Sequence, residues 1–172
     1  MIETYRLNIQ PLTYAQLQKY VQNDQSLEKE LNLKDSTRSI SPELKEALEQ
    51  TILPNVVDAS KNYLYSTLWT IISKADRQMV GDLCFVGEPD ADGQIEMGFG
   101  TYDQHQGYGY MTEAVAGMIK WAKEQPEVKS IYAETGLDNF ASMSVLKKNG
   151  FVQLNKGNEL CFWKLKLQAD SL

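Results

Sequence analysis

The sequence has little cysteine and no long apolar run, and each shortage excludes a class of protein. Cys84 and Cys161 are its only cysteines, each inside a Leu-Cys-Phe triplet and outside any CxxC motif. A disulfide scaffold or a zinc site is therefore not expected, and we interpret both residues as buried packing groups. No apolar run approaches the 18 residues of a membrane-spanning helix. The sequence predicts neither a metal site nor a membrane partner.

Basic residues are also in short supply. The 17 Lys and Arg residues are outnumbered by 23 Asp and Glu residues, which gives a formal net charge of −6. The Lys and Arg residues form no run of the kind that binds nucleic acid, so no nucleic-acid partner is expected. An acidic balance suits cationic substrates such as amines, although it is also common in ordinary proteins. The N-terminal segment MIETYRLNIQ lacks the basic and then apolar pattern of a secretory signal, which predicts a cytoplasmic protein.

The 172 residues suit a single domain, residues 1–172, in which strand and helix patterns alternate. Strands are predicted over 4–11, 64–73, 79–86, 94–101 and 130–135, with a closing hairpin of 151–156 and 159–167. Helices are predicted over 14–22, 25–33, from Pro42 to about residue 53, from Met111 to before Pro126, and over 140–148. This order predicts an α/β (α+β) fold: a mixed, mostly antiparallel sheet of about seven strands with helices on both faces.

Local signals set several helix boundaries. Thr13 followed by Gln16 is a capping box that opens the first helix. Ser41 before Pro42 places a cap residue ahead of a proline in the first helical position. Pro54 disfavours continuation of the helix that starts at Pro42, because proline lacks the N–H that a helix interior needs.

The stretch 94–114, QIEMGFGTYDQHQGYGYMTEA, carries the chemistry. A predicted strand runs into a loop with Gly107 and Gly109, which opens a helix. A helix N-terminus leaves main-chain N–H groups unpaired and partially positive, and glycines let a ligand approach the backbone closely. The loop can therefore cradle a pyrophosphate. The Walker A lysine and the three-glycine dinucleotide fingerprint are absent, which argues against those two kinds of site.

Three motifs in this half of the chain together resemble the GNAT superfamily of N-acetyltransferases. The loop Gln104–Gly109, QHQGYG, fits the pattern Q/R-x-x-G-x-G/A, and the YMTEA that follows resembles the family's GYxTEA. The strand segment IEMGF at 95–99 resembles AEIGY, and Asn139-x-x-Ser142 with Gly-Phe at 150–151 matches N-x-x-S…GF. The likeness covers about 79–165 and is closest to the branch that includes ribosomal-protein alanine acetyltransferases and spermidine acetyltransferases.

The resemblance implies acetyl-CoA as co-substrate and no metal. In this family, loop N–H groups hold the coenzyme A pyrophosphate, and the pantetheine arm enters a gap between two splayed strands like an extra strand. On this sequence the gap falls between the strand ending at Phe99–Thr101 and the strand at 131–135. The resemblance implies these cofactor-binding residues: Phe99, Gly100, Thr101, Gln104, Gln106, Gly107, Tyr108, Gly109, Tyr110, Met111, Asn139 and Ser142.

Acetyl transfer needs a neutral amine, a hydrogen-bond donor for the oxyanion, and a proton for the departing thiolate. We expect a main-chain N–H near Phe99 to be the oxyanion donor. The resemblance implies Ser142 as proton donor, with Tyr110 as a lesser candidate; a helix N-terminal or pantetheine contact is the other interpretation of Ser142. Glu96 is the candidate base, acting directly or through water, because it lies on the central strand beside the expected cleft. An ion-paired strand carboxylate is the alternative for Glu96.

The leading hypothesis is an enzyme that acetylates a primary amine: a protein or peptide N-terminus, a polyamine or another small amine. No histidine neighbours either cysteine, which favours direct attack in a ternary complex over a cysteine-bound acyl intermediate. The alternative hypothesis is a non-catalytic module that binds coenzyme A as a ligand or sensor. The oligomeric state stays open, with a homodimer suggested by the dimers common in the family it resembles.

Overall fold

A computed structural model of the chain describes residues 1–167. Its strands are β1 (Ile2–Glu3), β2 (Leu7–Pro11), β3 (Leu68–Ser73), β4 (Gln78–Phe85), β5 (Gln94–Thr101), β6 (Ser130–Gly136), β7 (Val152–Lys156) and β8 (Leu160–Lys166). Its α-helices are α1 (Tyr14–Gln22), α2 (Ser26–Glu30), α3 (Pro42–Ala47), α4 (Leu53–Val57), α5 (Tyr110–Lys123) and α6 (Phe140–Lys148). Short 3₁₀ turns cover Tyr63–Tyr65 and Asp103–His105, and a π-helical turn covers Leu48–Ile52.

The strands form one sheet in the order β1-β2-β3-β4-β5-β6-β8-β7. Every pair is antiparallel except β5 with β6, so the predicted mixed, mostly antiparallel sheet is confirmed. The sheet has eight strands where the sequence predicted about seven. The additional strand, Ile2–Glu3, precedes the predicted first strand, 4–11. A turn closed by the Thr4 N–H and the Leu7 carbonyl (2.9 Å) lets it pair back on β2.

The two faces of the sheet bury separate apolar clusters, because alternate strand residues point to opposite faces. The cluster under α5 and α6 includes Trp69, Leu83, Ile95, Met97, Ile131 and Trp163 from the strands and Val115, Met118 and Leu146 from the helices. The cluster under the N-terminal helices includes Leu17, Tyr20, Leu27 and Leu48 packed on Leu68, Ile72 and Met79. Helices therefore cover both faces, as predicted.

Both predicted helix starts are confirmed, but the predicted stop at Pro54 is wrong. The Thr13 side chain accepts from the Gln16 N–H, and the Gln16 side chain accepts from the Thr13 N–H. Ser41 caps α3 by accepting from the Leu44 N–H. The helix then continues through the π turn into α4, with the Leu53 N–H donating to the Leu48 carbonyl. The wide turn places Pro54 in the first turn of α4, where a missing N–H costs nothing.

The parallel strands β5 and β6 pair at three positions only: Gln94 with Ser130, Ile95 with Ile131, and Glu96 with Tyr132. Beyond them, β5 remains paired with β4 as far as Thr101, while β6 remains paired with β8 as far as Gly136. The predicted divergence of the two strands is confirmed, and it leaves a gap open toward the end of β5. Within residues 1–167, no helix has both the length and the apolar character needed to cross a membrane.

Candidate functional site

Main-chain groups of β5 point into the gap between β5 and β6. The Val86 N–H donates to the Glu96 carbonyl and the Tyr102 N–H to the Val80 carbonyl, each at 2.9 Å, so the even-numbered residues direct their polar groups toward β4. The main-chain N–H and C=O groups of Phe99 and Thr101 point the opposite way, because these groups alternate in direction along a strand. On that side β6 has already diverged, so the two residues present a free strand edge. The Phe99 N–H thus lies where an oxyanion donor was expected.

The loop after β5 supplies the cradle that the sequence predicted. Gly107 and Gly109 have φ angles of 84° and 77°, which side chains other than glycine rarely tolerate. A Cβ at Gly107 would meet no protein atom within 4 Å, so the space in front of the loop is open. In the described part of the chain, no group accepts from the N–H groups of Gly107 through Thr112; the first helical bond of α5 runs from the Glu113 N–H to Gly109. Such a row of free donors at a helix N-terminus fits a pyrophosphate.

A side-chain network fixes this loop to the N-terminal strands. Glu113 accepts from the Thr4 hydroxyl (2.5 Å), from the Arg6 N–H (2.8 Å) and from Arg6 Nε (2.8 Å). Arg6 also donates to the Tyr108 carbonyl at 2.8 Å and lies over the Tyr110 ring. Burial raises the pKa of Glu113, but the hydrogen bonds from Thr4 and Arg6 outweigh it and lower the pKa below its ordinary value. Glu113 is therefore an ionised anchor of the loop.

A cleft of about 400 Å³ connects the loop, the gap and the start of α6. Ten of the predicted cofactor-binding residues line it: Phe99, Gly100, Thr101, Gln106, Gly107, Gly109, Tyr110, Met111, Asn139 and Ser142. The cleft is also lined by residues outside the predicted cofactor-binding set: His105, Thr112, Ala141, Ser144, Val145 and Lys148. The open cleft, the free donors and the free strand edge together fit coenzyme A.

Two predicted cofactor residues lie outside this cleft. The Gln104 side chain turns away and donates to the Thr37 carbonyl at 2.6 Å, which places it in the wall of a different pocket. Tyr108 is 62% exposed and stacks on Tyr110, because its carbonyl is held by Arg6 on the other side of the loop. Neither side chain contributes to the cleft, although their main-chain N–H groups belong to the same loop.

The two candidate proton donors have different surroundings. Ser142 lies in the first turn of α6, where the Asn139 side chain caps the helix by accepting from its N–H at 3.2 Å. The cap uses the backbone of Ser142, so its hydroxyl is free to face the cleft. Tyr110 also lines the cleft, but its hydroxyl donates to Asp76 at 3.4 Å, in the turn between β3 and β4. That contact makes Tyr110 the weaker candidate.

A second pocket, of about 380 Å³, lies on the face covered by the N-terminal helices. Leu44 and Leu68 contribute apolar side chains to its wall, and its polar groups include Asp82, Arg38, Tyr20 and Tyr102. Phe99, Gly100 and Thr101 line both this pocket and the first cleft. The two cavities therefore meet at the end of β5.

Asp82 is the residue of this pocket that the sequence analysis missed. It is 8% exposed, and its Oδ2 accepts from the Tyr20 hydroxyl (2.5 Å) and the Tyr102 hydroxyl (2.9 Å). Burial raises the pKa of Asp82 to about 6, against the opposing effect of those hydrogen bonds and of Arg38. The available signal was a single carboxylate inside the apolar strand MVGDLCFV, which alternation alone could not place against a cavity.

Glu96, the predicted base, lies on the same face of the sheet as Asp82 but lines neither cavity. Burial and the neighbouring Glu134 carboxylate raise its pKa. The Tyr132 hydroxyl donates to Glu134 at 3.0 Å, so the two carboxylates share a polar patch beside the end of the β5–β6 pairing. The structure brings Glu96 near the site, and its role as base stays a prediction.

Neither cysteine shows the surroundings of a nucleophile. Cys161 is buried and Cys84 half-buried, and both are free thiols. Burial and the Asp82 carboxylate raise the pKa of Cys84 to about 11, which keeps the thiol protonated near neutral pH. In residues 1–167, no three His, Cys, Asp or Glu side chains group in a way that could hold a metal ion.

Comparisons with known proteins identify the family of the chain. The family model for the acetyltransferase (GNAT) domain matches residues 6–152. The chain is similar to an uncharacterized N-acetyltransferase, YjdG, of Bacillus subtilis (strain 168), with 30% identity over 166 residues, covering 95% of this chain and 96% of the relative.

Solved structures share the fold at lower identity. Ribosomal-protein-S5-alanine acetyltransferase from Vibrio fischeri superposes with a TM-score of 0.67 at 17% identity, over 95% of this chain and 94% of that one. Spermidine N-acetyltransferase from Vibrio cholerae, in complex with CoA and spermine, gives a TM-score of 0.65 at 11% identity, over 95% and 97% of the two chains. With its free donor loop, its divided strands and the family match across most of its length, the chain belongs to the GNAT family and is an acetyl-CoA-dependent N-acetyltransferase.

Proposed function

We propose that the protein transfers an acetyl group from acetyl-CoA to a primary amine by direct attack in a ternary complex. One observation carries this proposal: two cavities, one with the features of a coenzyme A site and one without, meet at Phe99–Thr101. An acetyl group delivered through the gap would reach the boundary between them. An acceptor in the second pocket would meet it there, with both reactants held by the protein at once.

Different groups of the protein bind different parts of acetyl-CoA. The N–H groups from Gly107 to Thr112 hold the pyrophosphate, and the free edge of Phe99 and Thr101 pairs with the amides of the pantetheine arm. Lys148 lines the same cleft and can meet a phosphate. When bound, acetyl-CoA supplies an acyl carbon that the thioester has already activated.

Three groups serve the chemistry. The Phe99 N–H donates to the carbonyl oxygen as it gains negative charge. Ser142 returns a proton to the departing sulfur, which would contribute about 10²-fold to the rate. Glu96 is one candidate for the base that the amine requires, acting through water. The protonated Cys84 thiol supports direct transfer rather than an acyl-cysteine.

The acceptor class follows from the pocket and from the relatives. Its wall combines apolar side chains with the buried carboxylate of Asp82, which suits a primary ammonium group on an apolar stem. A peptide N-terminus, a polyamine and another small amine all satisfy that description. We further propose a single domain over residues 1–172, acting in the cytoplasm, where acetyl-CoA is available, and forming a homodimer. No nucleic-acid, membrane or metal partner is part of the proposal.

The experiment is a panel assay of the purified protein with acetyl-CoA. Thiol release is followed with simple alkylamines, spermidine, spermine, and peptides with free and blocked N-termini, and mass spectrometry confirms one added acetyl group on the amine. We expect release with at least one amine and none with blocked peptides. Tight coenzyme A binding without acetyl transfer to any amine would favour the non-catalytic sensor module instead. Light scattering on the same sample tests the homodimer.

A further inference from the structure

We propose that Asp82 receives the ammonium group of the acceptor and takes up the proton that the amine must lose before it attacks. The inference deepens the acetyl transfer proposed above and depends on it. It assigns the acceptor pocket to a primary ammonium ion and gives a role to a buried carboxylate that no family motif in this sequence contains.

Asp82 on β4 lies directly opposite Gly100 on β5, and opposite residues of an antiparallel pair share a face. Gly100 presents no side chain, and a Cβ there would meet no protein atom within 4 Å. The carboxylate therefore adjoins open space at the boundary of the two cavities. From the register, its Cα lies about 6 Å from that of Phe99, one strand across and one residue along.

One carboxylate oxygen of Asp82 lacks a hydrogen-bond partner within the described residues. Asp82 Oδ2 accepts from two tyrosine hydroxyls, but the buried Oδ1 accepts from no group in residues 1–167. The hydroxyl of Thr70, the cross-strand neighbour of Asp82, also lacks a partner there. A buried polar atom without a partner costs roughly 1–3 kcal/mol, and more when it is charged. A bound ammonium group would donate to Oδ1 and offset that cost.

Besides Asp82, the wall of the pocket contains one basic residue, Arg38, and one other acidic residue, the exposed Asp103. Arg38 pairs with Glu28, and both of these side chains are almost fully buried. That pair is neutral as a unit. When Asp82 is ionised, the interior of the pocket therefore carries an uncompensated negative charge, which attracts a cation.

The ionisable groups around Asp82 are compatible with this role. Tyr20 from α1, Tyr102 after β5, Arg38 from the loop before α3, and Cys84 from its own strand face the carboxylate. The first three lower the pKa of Asp82, and burial outweighs them and raises it. The result leaves the group ionised at neutral pH and makes it a stronger base than an ordinary carboxylate.

Position favours Asp82 over Glu96 as the base. Glu96 precedes Phe99 by three residues on β5, about 10 Å along the strand. It lines neither cavity, whereas Asp82 lines the acceptor pocket. Glu96 would require a chain of water molecules to reach an amine at the boundary, and Asp82 would not.

The ammonium gives one proton to the Asp82 carboxylate and becomes a neutral amine. Its nitrogen lone pair forms the bond to the acyl carbon, and the carbon–sulfur bond breaks with its electron pair remaining on sulfur. The nitrogen's second proton goes to the sulfur, through Ser142 or water, and the Asp82 proton returns to solvent. The products are the acetamide, the free thiol and one proton.

The test uses n-butylamine as a probe of the coenzyme A-saturated protein. Binding of n-butylammonium near neutral pH is followed by NMR for the wild type, Asp82→Asn and, as a distant carboxylate control, Asp92→Asn. We expect Asp82→Asn to weaken binding about 10- to 100-fold, the loss of a hydrogen bond to a charged group, and Asp92→Asn to match the wild type. Equal affinity in Asp82→Asn would overturn the proposal, and this readout needs no turnover.

The pH profile separates a proton acceptor from a structural residue. For an amine that the wild type acetylates, kcat/KM should fall as pH drops through about 6, where Asp82 becomes protonated. Tyr102→Phe removes a hydrogen bond that lowers this pKa, so the acid limb should move to higher pH. An unmoved limb in Tyr102→Phe, or loss of the limb in Glu96→Gln instead of Asp82→Asn, would refute the assignment. A wild type inactive toward every amine would instead refute the proposed acetyl transfer.

Discussion

Gly107 offers a direct test of the coenzyme A cradle, because Gly87 provides a matched control. Both residues have a left-handed backbone, with φ angles of 84° and 87°. A Cβ at either position would meet no protein atom within 4 Å. Gly107 lines the cleft, whereas Gly87 lies in the turn after β4 and lines neither cavity. The two Gly→Ala substitutions should therefore strain the backbone equally and differ only in what the methyl group faces.

The two substitutions should lower stability by the same amount but differ in their effect on coenzyme A affinity. A left-handed alanine costs about 1–2 kcal/mol, partly offset by the smaller entropy of its unfolded chain, so each variant should lose about 1 kcal/mol of unfolding free energy. That corresponds to a fall of about 2–4 °C in Tm for a chain of this size. Gly107→Ala should also weaken coenzyme A about 10- to 100-fold, because the methyl group displaces a phosphate from charge-assisted hydrogen bonds worth about 1.5–3 kcal/mol.

The assay is calorimetry of coenzyme A binding together with thermal unfolding of both variants. Gly87→Ala should show the fall in Tm with wild-type affinity. The same affinity in both variants would show that the loop does not hold the diphosphate. A loss of affinity in Gly87→Ala as well would show that backbone strain, and not the lost space, is responsible.

Three further predictions concern other residues of the site. Glu113→Gln should cost about 1 kcal/mol at neutral pH, measured by denaturant unfolding; because the folded pKa of Glu113 is lowered, the deficit should disappear as pH falls through that pKa. Ser142→Ala should lower kcat about 10²-fold and leave coenzyme A affinity nearly unchanged, since the helix cap uses the backbone N–H; Ser144→Ala, in the same cleft, is the control. Asp82→Asn should raise stability at pH 8 by up to about 3 kcal/mol, from a pKa raised by about two units. That gain should vanish below about pH 4, where the carboxyl of Asp82 is neutral in both the folded and the unfolded chain.

The C-terminal half of the fold was predictable from sequence because local signals coincide there with tertiary packing. Strand β5 and helix α6 cover the residues that were predicted for them, 94–101 and 140–148. The first strand was harder, since nothing in its local pattern reveals that Thr4 turns the chain back on itself. Pro54 misled for a related reason: a proline rule assumes a regular α-helix, and a π turn changes the position at which the missing N–H falls.

Only the part of the candidate site that consists of main-chain groups was predictable from the sequence. Glycines with an open loop are visible in a sequence, and the cleft contains them as expected. Side chains that act by position were not visible. Gln104 belongs to the loop motif but turns into the other pocket, and Asp82 belongs to no motif but lies at the pocket's polar end. Their placement depends on the register of β4 against β5 and on the N-terminal helices, which are long-range features.

Strand β5 can serve two ligands because the side chains and the main-chain groups of a strand point in perpendicular directions. The N–H and C=O groups of Phe99 and Thr101 point into the gap, because β6 pairs with β5 at only three positions and then diverges from it. Gly98 and Gly100 point toward the acceptor face, and the absence of side chains there keeps the pocket open beside Asp82. One ligand can thus approach the edge of the strand and the other its face, so that they converge on the same few residues without competing for the same atoms. A strand paired on both edges, or one with bulky residues at both glycines, would hold one of these ligands at most.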